Sequence, residues 1–230
     1  EITSLMERIQ EREKQKRALE VNFLRAQINP HFLYNTLFSI RCAVEVGKNE
    51  QAAKMLSAFI DLLRSTLAVK NTTIPLSDEL ETTRKYLVVQ KLRYGEKINY
   101  EIEMPKDTED CMVPPLILQP LVENAIRYGL GDDEKITIQV FEDNIRGLAG
   151  ITILDSGNGL TQEEIYQINE PFDYDVKKMQ HGNRGIGLRY VKAMLDSFYE
   201  GETNLFVNCK KGYGTKITIL IPIQEELRNK

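Results

Sequence analysis

The stretch Gln27-Ile28-Asn29-Pro30-His31-Phe32-Leu33-Tyr34-Asn35-Thr36-Leu37 sets one of only two histidines beside a proline inside a strongly helical run. Interior proline removes a backbone donor and clashes with the preceding turn, at a cost of roughly 3 kcal/mol, so a helix bend is expected at Pro30. Around it Ile2, Leu5, Ile9, Leu19, Phe23, Ala26, Pro30, Leu33, Leu37, Ile40 and Val44 keep a 3-4 heptad spacing, interrupted where Arg12 and Lys16 take core positions. His31 lies off that seam, on the helix flank, where a neutral imidazole can act as a nucleophile. Residues 1 to about 46 read as one helix on the order of 70 Å long, ending at Gly47-Lys48-Asn49. A second helix follows, with Ala52, Leu56, Phe59, Leu63 and Leu67 on one apolar face. So short a turn predicts an antiparallel pair whose remaining apolar surface is covered by a second copy, giving four helices per dimer.

Downstream the periodicity changes. Residues 71–76, a polar turn ending at Pro75-Leu76, read as a linker between dimerisation helices over 1–70 and a second domain over 77–230. Ser77-Asp78-Glu79 is expected to cap a helix carrying Leu80, Tyr86, Leu87 and Leu92. Alternation then predicts strands at Ile98–Met104, Ile136–Val140, Leu148–Leu154, Leu205–Val207 and Ile217–Ile221, with helices near 116–128, 162–168 and 186–199. The fold class is therefore α+β: a two-helix hairpin followed by a mixed sheet covered by helices on one face. Residues 170–184 lack a period and read as a lid, with His181 a solvated loop residue in it.

Three motifs in this second region suggest phosphate chemistry. Asp155-Ser156-Gly157-Asn158-Gly159 puts an acid at a strand end leading into a glycine turn. Gly185-Ile186-Gly187-Leu188 opens a helix, where backbone N–H groups and the helix dipole favour phosphate. Leu121-Val122-Glu123-Asn124-Ala125-Ile126-Arg127-Tyr128-Gly129 reads as a helix with Asn124 and Arg127 on one face; the amide oxygen can ligate Mg2+ and the guanidinium can pair with phosphate.

With these motifs in this order, the chain resembles the cytoplasmic part of a sensor histidine kinase of the LytS/YesM-like branch, whose ATP-binding domain is of the GHKL class. The likeness runs from about residue 20 to about residue 222 and rests on Gln27–Leu37, Pro115–Gly129, Asp155–Gly159, Gly185–Leu188 and Gly214-Thr215. The resemblance implies that His31 accepts the γ-phosphoryl group of ATP and passes it to an aspartate on the receiver domain of a response regulator. It also implies that Asn124 holds Mg2+, that Asp155 accepts a hydrogen bond from the adenine amino group, and that Gly157, Gly159, Gly185, Gly187 and Leu188 belong to the nucleotide-binding turns. Tyr128 would lie against adenine and Thr215 at the pocket floor. Larger families carry an acid directly after the acceptor histidine; Phe32 stands here, which makes Glu123 the candidate base, while Asn35, one turn beyond His31, is the candidate orienting residue. The implied assembly is a homodimer with a membrane-anchored sensor region upstream, this chain being the cytoplasmic portion of a cell-membrane protein. Another GHKL ATPase and a non-catalytic dimeric signalling adaptor are the alternatives.

Composition fits this reading. The 230 residues are 42% apolar, enough for one compact core, and no run approaches the ~18 apolar residues of a membrane span. A net charge of -4 without a basic stripe argues against nucleic-acid binding. Cys42, Cys111 and Cys209 lack metal-ligand spacing and read as reduced thiols. Glu1 in place of an initiator methionine raises the expectation of a chain cut from something longer.

Overall fold

The computed structural model describes residues 30–68, 73–129, 135–143, 145–161, 163, 165–166, 186–199, 203–210 and 214–223. The N-terminal heptads with Arg12 and Lys16, the lid over 170–184 with His181, and Gly185 lie outside the described residues.

Helices α1 (Pro30–Glu45) and α2 (Asn49–Ala68) form the hairpin. Pro30 is the first described residue of α1, so the bend expected there cannot be read from the described chain on its N-terminal side. The turn is closed by Gly47 at φ 77°: its N–H donates to the Val44 carbonyl at 2.9 Å, and the Lys48 N–H donates to that of Ala43 at 2.8 Å. This paired closure needs a left-handed residue, which glycine supplies without a Cβ penalty.

The buried face of α2 differs in phase from the one expected. Ala52, Met55, Phe59, Leu62 and Thr66 are buried, whereas Leu56 is 43% and Leu67 57% exposed. The sequence holds two apolar stripes, and α2 packs against both α1 and the helix that follows the hairpin, which selects the stripe through Met55 and Leu62. Leu56, Ile60 and Leu67 remain exposed, as do Leu37, Phe38 and Val44 on α1.

Beyond the hairpin, β1 (Ile74–Pro75) pairs antiparallel with β3 (Met112–Val113), a two-residue ladder too short to leave a periodic signal. Helix α3 (Leu76–Tyr94) starts at Leu76 with Pro75 at its N-cap and no side-chain cap, so Ser77-Asp78-Glu79 form its first turn instead of preceding it. The reason is local. The Leu76 N–H donates to the Cys111 carbonyl at 2.8 Å and that of Ser77 to the Glu109 carbonyl at 3.1 Å, so backbone oxygens take the donors a capping side chain would have served.

The main sheet has the order β2 (Asn99–Glu103), β4 (Lys135–Asp143), β5 (Leu148–Asp155), β7 (Gly214–Pro222), β6 (Asn204–Lys210), with β2 parallel to β4 and the other pairs antiparallel. Ile136, Ile138, Val140, Ala149, Ile151, Ile153, Ile217, Ile219 and Ile221 are buried and share one face by register. They join one core with Leu121, Val122 and Ala125 of α4 (Gln119–Tyr128) and Val191, Met194 and Leu195 of α5 (Ile186–Phe198). The opposite face carries exposed or half-buried residues such as Lys135, Thr137, Gln139 and Leu154, and there the Phe141 ring covers the space a side chain on Gly150 would need. This is the α+β arrangement expected, with a mixed sheet clothed by helices on one face.

Candidate functional site

Strand β5 delivers Asp155 to the end of the buried face. Its Oδ1 accepts the Gly157 N–H at 3.0 Å and the Thr215 N–H at 3.1 Å. Burial raises the carboxyl above its usual range, while these two backbone donors and the Thr215 hydroxyl oppose the shift. The aspartate is hemmed in by backbone that tolerates no side chains. A Cβ on Gly129 would strike the Asp155 side chain, one on Gly214, at φ 92°, would strike the Asp155 carbonyl, and one on Gly157 would strike Gly129. These contacts join the end of α4, the turn after β5 and the start of β7. Gly159, at φ 75°, lies in the same turn, and Thr215 is buried.

Helix α4 supplies the second part. Leu121, Val122, Ala125 and Ile126 fix its apolar face in the core, which leaves Asn124 half-buried, Arg127 exposed and Tyr128 half-buried. The Asn124 Nδ2 is buried without a hydrogen-bond partner among the described residues. A Cβ on Gly187, in the first turn of α5, would lie 3.3 Å from that nitrogen and 3.3 Å from the Pro120 Cβ, so glycine lets the two helices meet there. Leu188 is 3% exposed and belongs to the core, leaving only its backbone to meet a ligand. The Arg127 guanidinium carbon stands 5.9 Å from the Tyr128 ring centroid.

The third part is on α1. His31 is exposed, and the Asn35 Nδ2 stands 2.9 Å from its Nε2 and 3.1 Å from its Nδ1. Phe32 is buried, its ring centroid 6.0 Å from Phe59 of α2 and 5.0 Å from Tyr86 of α3. Tyr86 accepts a bond from the Gln90 Nε2 at 2.5 Å, and burial, reinforced by the Glu123 carboxylate and opposed by Arg127, pushes its hydroxyl well above the usual range. Glu123 itself accepts a bond from the Gln119 Nε2 at 3.3 Å. Tyr86 of α3 thus touches Phe32 of α1 and feels the charges of Glu123 and Arg127 on α4.

A family described as histidine kinase matches residues 19–98, and one described as histidine kinase-, DNA gyrase B-, and HSP90-like ATPase matches residues 114–225. The sensor histidine kinase YesM of Bacillus subtilis is 30% identical over 227 residues, 98% of this chain and 37% of that protein. The chain belongs to the sensor histidine kinase family. The sensor protein kinase HptS of Staphylococcus aureus is 26% identical over 95% of this chain and 41% of its own length. The chain thus spans about two-fifths of the length of these relatives. Among solved structures, the histidine kinase domain of the blue-light activated histidine kinase from Erythrobacter litoralis has a TM-score of 0.47 at 17% identity, covering 92% of this chain and 96% of its own.

The buried polar roles of two residues, Glu79 and Tyr86, escaped sequence reasoning. Glu79 and Tyr86 fall in helical register with Leu76, Leu80, Thr83 and Leu87, all buried. A polar group on the apolar stripe of a helix was the available signal for both.

Proposed function

We propose that this chain phosphorylates His31 from ATP and passes the phosphoryl group to an aspartate on the receiver domain of a response regulator. The observation that carries the reading is the buried Asn124 amide nitrogen, without a partner among the described residues, beside Gly187 in the first turn of α5. An unmatched buried amide N–H group is costly in a folded chain, and a phosphate oxygen is an acceptor that it fits.

Asp155 fits an adenine amino group. A carboxylate offers about four acceptor sites, and both backbone bonds use Oδ1. Asn124 would hold Mg2+, which neutralises phosphate charge when bound, and Arg127, exposed on the same helix face, would pair with phosphate oxygens. Tyr128 would flank the base, with Thr215 at the pocket floor and the turns at Gly157, Gly159, Gly185 and Gly187 approaching the nucleotide. At His31 a ring nitrogen forms a bond to the γ-phosphorus as the bond to the bridging oxygen breaks and ADP leaves. Asn35 orients the imidazole, and Glu123 is the candidate to take the proton from the other ring nitrogen.

Among the described residues no helix is long and apolar enough to cross a membrane. The exposed apolar residues of α1 and α2 support a homodimer, with 1–70 as the dimerisation region, 71–76 as the linker and 77–230 as the ATP-binding domain; a membrane-anchored sensor region upstream completes the reading. The test is labelling with Mg-ATP: acid-labile, base-stable phosphate is expected on the wild-type chain and absent from His31→Ala. Equal label on both proteins overturns the assignment of His31.

A further inference from the structure

Glu79 is 1% exposed, on the first turn of α3. Its Oε2 accepts the Leu116 N–H at 2.7 Å and its Oε1 the Leu118 N–H at 2.9 Å, with the Ile117 N–H also turned to the carboxylate. Leu116 has φ 61°, the only positive value among the described non-glycine residues, in a region that crowds an L side chain against its own carbonyl. Leu118 is the N-cap of α4, which has neither a side-chain cap of its own nor an acidic residue in its first turn. One carboxylate from another helix therefore pins a strained turn and takes the N–H of the N-cap of α4.

We propose that Glu79 is a positioning residue for the phosphate end of the nucleotide site: by fixing the Leu116–Leu118 turn it sets the axis of the helix that presents Asn124 and Arg127. Asn124 lies six residues beyond Leu118, about 9 Å along the helix, so a small tilt at the turn displaces the amide sideways. Asp155 and Thr215 stand on strands of the main sheet, which do not hang on this turn. Burial pushes the Glu79 carboxyl up to about 7 despite its backbone donors, which makes it an expensive group to hold in a core whose only return is placement. The proposal rests on the reading of Asn124 and Arg127 as the phosphate end.

The test uses the full chain with Glu79→Gln, which keeps the shape but can accept with one side-chain oxygen only. Calorimetry with adenosine and with Mg-ATP is paired with single-turnover labelling of His31. The expected result is adenosine affinity within twofold of wild type, Mg-ATP affinity about tenfold weaker and labelling at saturating Mg-ATP slowed tenfold or more. Adding Leu116→Gly, which adopts the turn without strain, should recover at least half of the loss. If Glu79→Gln does not fold, Glu79→Asp, which draws the charge back by one methylene, is read by the same measurements. Wild-type Mg-ATP affinity and rate, or a parallel fall in adenosine and Mg-ATP affinity, overturns the proposal. Asn124→Ala separates the two levels of inference. If it keeps wild-type Mg-ATP affinity, the phosphate-end reading fails and takes the proposal with it; if it loses affinity while Glu79→Gln does not, only the Glu79 role fails.

Discussion

The two ends of the candidate site are built on opposite plans. At Asp155 two backbone donors are in place, and a side chain on Gly129, Gly214 or Gly157 would collide with its side chain, its carbonyl or Gly129 itself. At Asn124 the amide nitrogen has no partner among the described residues, a Cβ on Gly187 would lie 3.3 Å from it, and the turn before its helix is bonded to a carboxylate of another helix. In the proposed reading, the contrast separates recognition of the base from handling of the phosphates. A base-binding end gains from being rigid before ligand arrives, since preorganisation lowers the cost of binding. A phosphate end that must serve different phosphate and metal arrangements gains from having its polar group left unspent.

The sharpest way to break this contrast is at the rigid end. Asp155→Asn replaces a charged acceptor by an amide and should cost adenosine about 1.5–3 kcal/mol, roughly 10- to 100-fold in affinity, while His31→Ala leaves binding unchanged. Calorimetry on folded proteins in which both variants lose affinity equally would erase the distinction between the binding end and the acceptor helix.

Gly214→Ala should come next. It forces a Cβ toward the Asp155 carbonyl at a positive φ, so a loss of about 1–3 kcal/mol in stability is expected in denaturant unfolding. Gly187→Ala, with its new Cβ 3.3 Å from the Asn124 nitrogen, should instead weaken Mg-ATP binding several-fold with little change in stability. Similar stability losses in both variants would mean the two ends are packed alike.

Arg127→Ala sharpens the comparison on the open side. Its guanidinium is exposed, so its removal should slow labelling and weaken Mg-ATP binding by about tenfold while adenosine binding holds. Tyr128→Ala should reverse the pattern, losing the base first. Matched losses of adenosine and Mg-ATP affinity in Arg127→Ala would make the arginine a structural residue.

The smallest effect is on pH dependence. The Glu79 carboxyl is raised from its usual value to about 7, so between about pH 4.5 and 7 the folded chain binds more protons than the unfolded one. Its contribution therefore makes stability fall as pH rises through that window and level off above it. Asp155, also raised, acts in the same direction. Thermal unfolding across this range should show a shallower slope in Glu79→Gln than in wild type; identical slopes would remove the buried charge from the account.

How much of this was legible in the sequence depended on whether a signal was local. The strands of the main sheet could be read because Ile136, Ile138 and Val140, or Ile217 and Ile219, alternate with polar neighbours, and the Asp155 turn because glycine follows a strand end. The inner stripe of α2 could not be phased, since Leu56 and Leu67 are as apolar as Met55 and Leu62 and only the helices packed against α2 choose between them. Glu79 read as a cap because acids are frequent in first turns; its bonds reach 37 and 39 residues ahead, a distance at which periodicity says nothing. The Cys111 and Glu109 carbonyls, which remove the need for that cap, are equally non-local.

Phe32 gives α1 a mechanical property. It follows His31 by one residue, about 100° around the helix, and its ring is lodged between Phe59 and Tyr86. A twist applied to α1 cannot turn the imidazole while the ring stays seated. Either the aromatic contact breaks, freeing the histidine to swing, or α3 is carried along, and Glu79, two turns before Tyr86 on that same rod, drags the start of α4 with it. Torque on one helix is thereby converted into a change of alignment at the other.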